Sequence, residues 1–201
     1  MKIGLSKHAP GLCAIYGPLL NLDKSLDAIF LSWAHQFKAL EYSFPQFLAV
    51  KHLDRLQYFT SFPHLATFAV TLDRDEDELT RFSHEHKVLE NGSLELPKIQ
   101  PSTHVITPAA CYHAYVEFEG QQFDQPKIIT TRGICCRCED HYVSLERQWT
   151  FSMREIICIG TPEEVHNFLN NAKEKVDRFI NKLGLNVKWE VATDPFFNPK
   201  N

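Results

Sequence analysis

Arg137-Cys138-Glu139, seven residues of connection, then Arg147-Gln148-Trp149-Thr150-Phe151-Ser152-Met153-Arg154-Glu155 is the stretch on which the fold turns. Read as two antiparallel strands joined by a loop, it sets arginines, carboxylates and an aromatic ring on one hairpin. Arginine's planar fork suits bidentate contacts to phosphate oxygens, and an aromatic face nearby can stack on a purine. On the second strand Arg147, Phe151 and Glu155 are separated by even numbers, so period 2 predicts all three on one face. The plainer reading is a surface hairpin with ion pairs and with Phe151 in the core, because structural ion pairs are commoner than sites.

Outward from the hairpin, Thr161 as N-cap, Pro162 at the first position and Glu164 three residues after the cap predict a helix. Its stripe runs Val165, Phe168, Leu169, Ala172, Val176, Phe179, Ile180 and Leu183, and Gly184 ends it. Leu22, Leu26, Ile29, Phe30, Trp33, Phe37 and Leu40 predict a second helix, capped by Asn21 or Asp23 and stopped by Phe44-Pro45. Strands are expected at 46–50, 104–106, 112–118, 127–131, 134–139, 150–159 and 187–191. The run Ile156 to Ile159, apolar on both faces, reads as a central strand. The acidic run Asp73 to Glu78 reads as a solvated turn or helix start. The expected class is α+β, with a largely antiparallel sheet flanked by helices. Without a Ser/Gly-rich or Pro-rich linker, residues 1–201 read as a single domain.

With 44% hydrophobic and 23% charged residues the chain is of ordinary globular composition, and a net charge of -4 disfavours broad nucleic-acid binding. No stretch has the roughly 18 apolar residues of a membrane span. Pro10, Gly4 and Gly11 interrupt the opening where a signal peptide needs a continuous apolar run. Six cysteines, with Cys135, Cys136 and Cys138 nearly adjacent, fit a reducing compartment, so a cytoplasmic location is expected.

The hairpin resembles motif 2 of the class II aminoacyl-tRNA synthetases: Arg-x-Glu, a variable loop, then Arg-x-x-x-Phe-x-x-x-Glu. Thr107-Pro108-Ala109-Ala110-Cys111-Tyr112-His113 and Phe151-Ser152-Met153-Arg154-Glu155-Ile156 look like the zinc-dependent, archaeal-type seryl-tRNA synthetase core. Closer still is its short relative, the amino acid:[carrier protein] ligase family, which lacks a tRNA-binding domain. Leu56 to Leu65 and Ala192 to Phe197 also look like segments of that family, so the resemblance runs from about Gly11 to Phe197.

By resemblance, Arg137 contacts the ATP α-phosphate and is the catalytic residue, Glu139 reads the adenine or ribose side, Phe151 stacks on adenine and Arg147 holds the terminal phosphates, with Mg2+. Fixed guanidinium groups stabilise charge developing at the α-phosphorus without reorganising. The implied reaction is activation of a small amino acid, glycine or alanine, as an aminoacyl-adenylate and its transfer to the phosphopantetheine of a carrier protein. A tRNA partner is disfavoured. A homodimer is implied, because the Leu22–Leu40 helix and the strand after Pro45 stand where motif 1 does.

Zinc in that family takes a Cys, a Glu and a later Cys, and Cys111 and Glu155 match the first two; the third has no counterpart in this chain. His113, two residues from Cys111 and so on the same face of the expected strand, is weighed as a substitute ligand against an ordinary histidine. Cys135, Cys136 and Cys138 alternate in direction and read as buried or incidental thiols, and Cys13 and Cys158 as core. No glycine-rich motif 3 follows Phe151, so the sequence reads as a class II domain incomplete at its C-terminus, with an exposed sheet edge. The rival readings are a truncated, non-catalytic paralogue that keeps part of the ATP site, and a seryl-tRNA synthetase-like fragment.

Overall fold

The computed structural model describes residues 4–191. A hairpin of β1 (Leu5–Ala9) and β2 (Leu12–Ile15) leads into α1 (Gly17–Gln36), β3 (Leu40–Tyr42), β4 (Phe47–Ala49), α2 (Val50–Arg55) and α3 (Tyr58–Ser61). After a short 3-10 turn come β5 (Thr67–Ala69), α4 (Glu76–Glu85), β6 (His104–Ile106), α5 (Tyr112–Glu117), β7 (Lys127–Cys136), β8 (Thr150–Ile159) and α6 (Pro162–Lys182). Among the described residues no helix is long and apolar enough to cross a membrane.

The main sheet has the order β3-β7-β8. β7 and β8 pair antiparallel over their full ten residues, from Lys127 opposite Ile159 to Cys136 opposite Thr150. β3 joins β7 in parallel, Leu40 beside Ile129. A second antiparallel sheet, β4-β6-β5, stands beside the first. Its Leu48 and Val105 share a core with Leu53, Tyr58, Ala109 and Tyr112, against which Met153 of β8 also packs. The other core joins Ala114 and Phe118 to Ile129, with Ile157 and Ile159 against them.

Residues opposite each other across β7 and β8 share a face, so Arg132 and Arg154 lie side by side. Two like charges so placed repel unless neutralised. α1 supplies the counter-charges. Asp23 accepts from Arg132 at 2.8 and 2.6 Å, and Asp27 accepts from Arg154 at 2.5 and 3.1 Å. Glu41 of β3 accepts from Arg154 at 3.0 Å. Asp23 and Asp27 are four apart and so stand on one face of α1. α6 packs on α1 through Phe179 against Phe30 and Trp33, and Phe168 against Phe37.

The α6 cap forms as its sequence requires: Thr161 Oγ1 accepts from the Glu164 amide and the Glu164 carboxylate accepts from the Thr161 amide. Removing the hydroxyl in Thr161→Ala is expected to cost about 1 kcal/mol. A fall in thermal midpoint of about 2–4 °C, read by calorimetry, checks this. The acidic run opens α4, with Asp75 capping the Glu78 amide at 3.0 Å.

Several expectations are corrected. α1 starts at Gly17, with Tyr16 at its N-cap, so Asn21 and Asp23 lie inside it; it ends at Gln36, Lys38 adopts a left-handed φ of 57°, and Leu40 belongs to β3. The run expected as a strand at 112–118 is instead the short helix α5, with Phe118 as its C-cap, and it buries Tyr112, His113 and Ala114. The runs 127–131 and 134–139 merge into β7, which stops at Cys136, so Arg137 and Glu139 lie past the strand end. β8 is the outer strand among the described residues; Ile157 and Ile159 are apolar because they pack on the Ala114–Phe118 core. Residues 187–191 form no strand: Trp189 donates to Asp177 of α6 at 2.7 Å and Lys173 lies 4.9 Å from the Trp189 ring centroid. The quoted segment Ala192–Phe197 lies outside the described residues.

Candidate functional site

The first turn beyond β7 aims Arg137. Its amide donates to Trp149 O at 2.9 Å, extending the hairpin by one rung. Its side-chain Nε donates to Pro108 O at 2.9 Å, and the guanidinium lies 5.3 Å from the Phe151 ring centroid. Bonded to a carbonyl on one edge and backed by an aromatic face, it has no carboxylate partner among the described residues. Such a cation keeps its two terminal nitrogens for an anion.

Glu139 accepts from Arg147 at 3.0 Å, and Asp140 stands 3.8 Å from the same nitrogen. Arg147 does not extend β8, which starts at Thr150; it bridges to Val143 inside the connecting loop, so the expected shared strand face holds for Phe151 and Glu155 only. The β1–β2 turn braces the loop: the Trp149 amide donates to Gly11 O at 3.0 Å. Gly11 has φ +72°, and a Cβ there would come within 2.7 Å of Tyr142 and 2.8 Å of Trp149, which fixes glycine at this contact.

Two cavities meet at these residues. One of about 670 Å³ reaches from Arg137, Glu139, Arg147 and Phe151 toward Asp23 and Arg132. The other, of about 440 Å³, puts the same Arg137, Glu139 and Arg147 opposite Tyr58, His64 and Tyr112. Tyr58 is 4% exposed, its hydroxyl has no hydrogen-bond partner among the described residues, and burial pushes its ionisation up to about 12. Tyr58 and His64 escape pattern reading, since nothing in their spacing sets them apart; the only signal is that both fall in the quoted Leu56–Leu65 segment.

Glu155, on the same face of β8 as Phe151, turns its Oε1 to the amides of Ala110 and Cys111 at 2.9 and 3.2 Å. Burial first, and then the Glu155 charge, push the ionisation of the Cys111 thiol far up. His113 does not join them. Helical rotation of about 100° per residue turns it away from Cys111, and its ring stacks on Phe44 at 5.4 Å. Burial lowers its proton affinity, and its Nε2 has no partner among the described residues. Cys135 and Cys136 are buried and Cys138 is exposed, while Cys13 lines the larger cavity rather than the core.

A catalytic zinc takes three protein donors and keeps one position open. Among the described residues Cys111 and Glu155 meet, but no third Cys, His, Asp or Glu completes a metal-binding group. The described donor set does not fit that ion.

The solved structure of the seryl-tRNA synthetase of M. kandleri with A. aeolicus tRNASec superposes on 89% of this chain and 36% of that one, with a TM-score of 0.77 at 21% identity. The chain has the class II aminoacyl-tRNA synthetase fold. On that fold it is homologous to two groups of ligases. It is 29% identical over 160 residues to amino acid--[acyl-carrier-protein] ligase 1 of Bradyrhizobium diazoefficiens, a match covering 77% of this chain and 47% of that one. It is 25% identical over 205 residues to the type-2 serine--tRNA ligase of Methanocaldococcus jannaschii, covering 98% and 39%. The chain thus spans less than half the length of these relatives. No family model matches it. The class II frame accounts for the long β7–β8 hairpin that presents Arg137 and Phe151 together.

Proposed function

We propose that the chain activates a small amino acid, glycine or alanine, with ATP and Mg2+, and that the aminoacyl group passes to the phosphopantetheine of a carrier protein in the cytoplasm. The observation that carries this reading is Arg137, held by Pro108 O and Phe151 with its terminal nitrogens uncommitted among the described residues, in a cleft it shares with Glu139 and Arg147. The likeness to a carrier-protein ligase supports the acceptor, and so does the charge of -4, which disfavours tRNA.

In this reading the amino acid carboxylate attacks the α-phosphorus, pyrophosphate leaves, and Arg137 stabilises the negative charge on the α-phosphate oxygens. Phe151 stacks on the adenine. Arg147 must exchange Glu139 for the β- and γ-phosphates, which frees Glu139 to accept from the adenine amino group or ribose. A homodimer built on α1 and the strand after Pro45 completes the proposal. No step is assigned to zinc.

Amino-acid-dependent ATP–pyrophosphate exchange on the 201-residue chain, screening glycine, alanine and serine, tests the reading. Exchange with glycine or alanine is expected. ATP binding without exchange, from folded protein, would reassign the chain as a non-catalytic nucleotide-binding module, and no ATP binding would overturn both.

A further inference from the structure

Glu155 and Arg137 make no direct bond, yet both are held to the same four residues. Pro108 O accepts from Arg137 Nε at 2.9 Å. Two residues on, the Ala110 and Cys111 amides donate to Glu155. The segment between them is fixed by its own bonds. Thr107 Oγ1 donates to Ala109 O at 2.7 Å, the Thr107 amide to Gln46 O at 3.0 Å, and the Cys136 amide to Thr107 O at 3.0 Å. Thr107, Ala109 and Ala110 are all buried, and Ala110 packs close to Gly133 of β7.

We infer that Glu155 is a positioning residue for Arg137, acting through the Pro108–Cys111 backbone. A carboxylate accepting two amides makes hydrogen bonds about twice as strong as neutral ones. Without it, the part-buried amides of Ala110 and Cys111 lose their partner and the segment shifts to find another. Pro108 O moves with the segment, and the guanidinium moves with Pro108 O. Glutamine keeps one acceptor oxygen at the same reach and preserves most of the hold; alanine preserves none of it.

The placement of Arg137 stands independently of what it binds, while its consequence for nucleotide rests on the function proposed above. The experiment reads the two separately, on the full ¹⁵N-labelled chain. Water exchange of the Arg137 Nε–H is followed by NMR, and calorimetric titration with ATP and Mg2+ is run on the parent, Glu155→Ala, Glu155→Gln and Thr107→Val. In Glu155→Ala the Nε–H is expected to exchange about tenfold faster or more. Glu155→Gln is expected to stay within about threefold of the parent, and Thr107→Val, which touches no metal donor, to fall between the two. ATP affinity is expected to weaken in the same order.

An Nε–H equally protected in folded Glu155→Ala overturns the inference. So does one zinc per chain, measured after dialysis, whose removal by a chelator reproduces the alanine result and makes glutamine as damaging as alanine. If Glu155→Ala does not fold, the comparison of Glu155→Gln with Thr107→Val decides: glutamine near the parent and valine impaired supports positioning, and the reverse order rejects it. Nε–H protection that follows the expected order while the parent binds no ATP keeps the positioning role and rejects the nucleotide reading.

Discussion

Arg137→Ala is expected to lower amino-acid-dependent ATP–pyrophosphate exchange by about 10²–10³-fold, the loss seen when one preorganised donor to a developing negative charge is removed. The effect should fall on turnover more than on ATP affinity, because charge at the α-phosphorus grows in the transition state. Fold should survive, since the Nε bond to Pro108 O and the contact with Phe151 are the side-chain interactions removed. Arg137→Lys should recover little. An ammonium group cannot hold Pro108 O and a phosphate with the same planar geometry. Near-normal exchange in the alanine variant refutes the assignment.

The second large effect concerns stability. Arg154 keeps only 8% of its side-chain exposure, and Asp27 accepts from it twice. In Asp27→Ala the guanidinium keeps, among the described residues, only Glu41 as a carboxylate partner, and Arg132 keeps Asp23. The cost is expected at about 2–3 kcal/mol, below that of breaking a fully buried pair because the Asp27 side chain is 21% exposed. Thermal unfolding should move down by about 4–12 °C.

The pH dependence carries a sign. Hydrogen bonding to Arg154, helped by the charges of Arg154 and Arg132 and opposed by burial, holds the Asp27 carboxyl below its usual 3.8. The unfolded chain therefore takes up this proton first as pH falls. The stabilisation is complete above about pH 4 and is lost as pH drops through the lowered folded value. The denaturation midpoint of the parent should fall more steeply below pH 4 than that of Asp27→Ala. Parallel curves would show that Asp27 is not part of the acid response.

How far the sequence reveals this depends on whether the deciding contact is local. The α6 cap is legible because Thr161 and Glu164 complete their bonds within four residues, with Pro162 opening the helix between them. The β7–β8 hairpin is legible because its two arms follow each other in the chain. α5 is misread because six residues are too few for a 3.6-residue period to show, and Tyr, Tyr and Val at 112, 115 and 116 carry strand preference. The pairing of Asp23 and Asp27 with Arg132 and Arg154 is illegible for the opposite reason. Its partners stand 109 and 127 residues apart, and nothing in either stretch names the other. The site divides the same way. Arg137, Glu139, Arg147 and Phe151 are visible as one hairpin, whereas the hold of Pro108 O on Arg137 and of Glu155 on the 110–111 amides depends on tertiary placement.

That separation along the chain also sets a timetable for synthesis. At about 5–20 residues per second, the ribosome needs roughly 6–25 s to deliver Arg154 after Asp27. β3 waits a similar interval for β7, its partner in a parallel pair, which is slow to close even once both halves exist. Through that interval Phe30, Trp33 and Phe37 of α1 are already made while Phe168 and Phe179, the rings they pack on, are not. The nascent chain therefore shows an uncovered aromatic face to its surroundings or to a chaperone until α6 has been made.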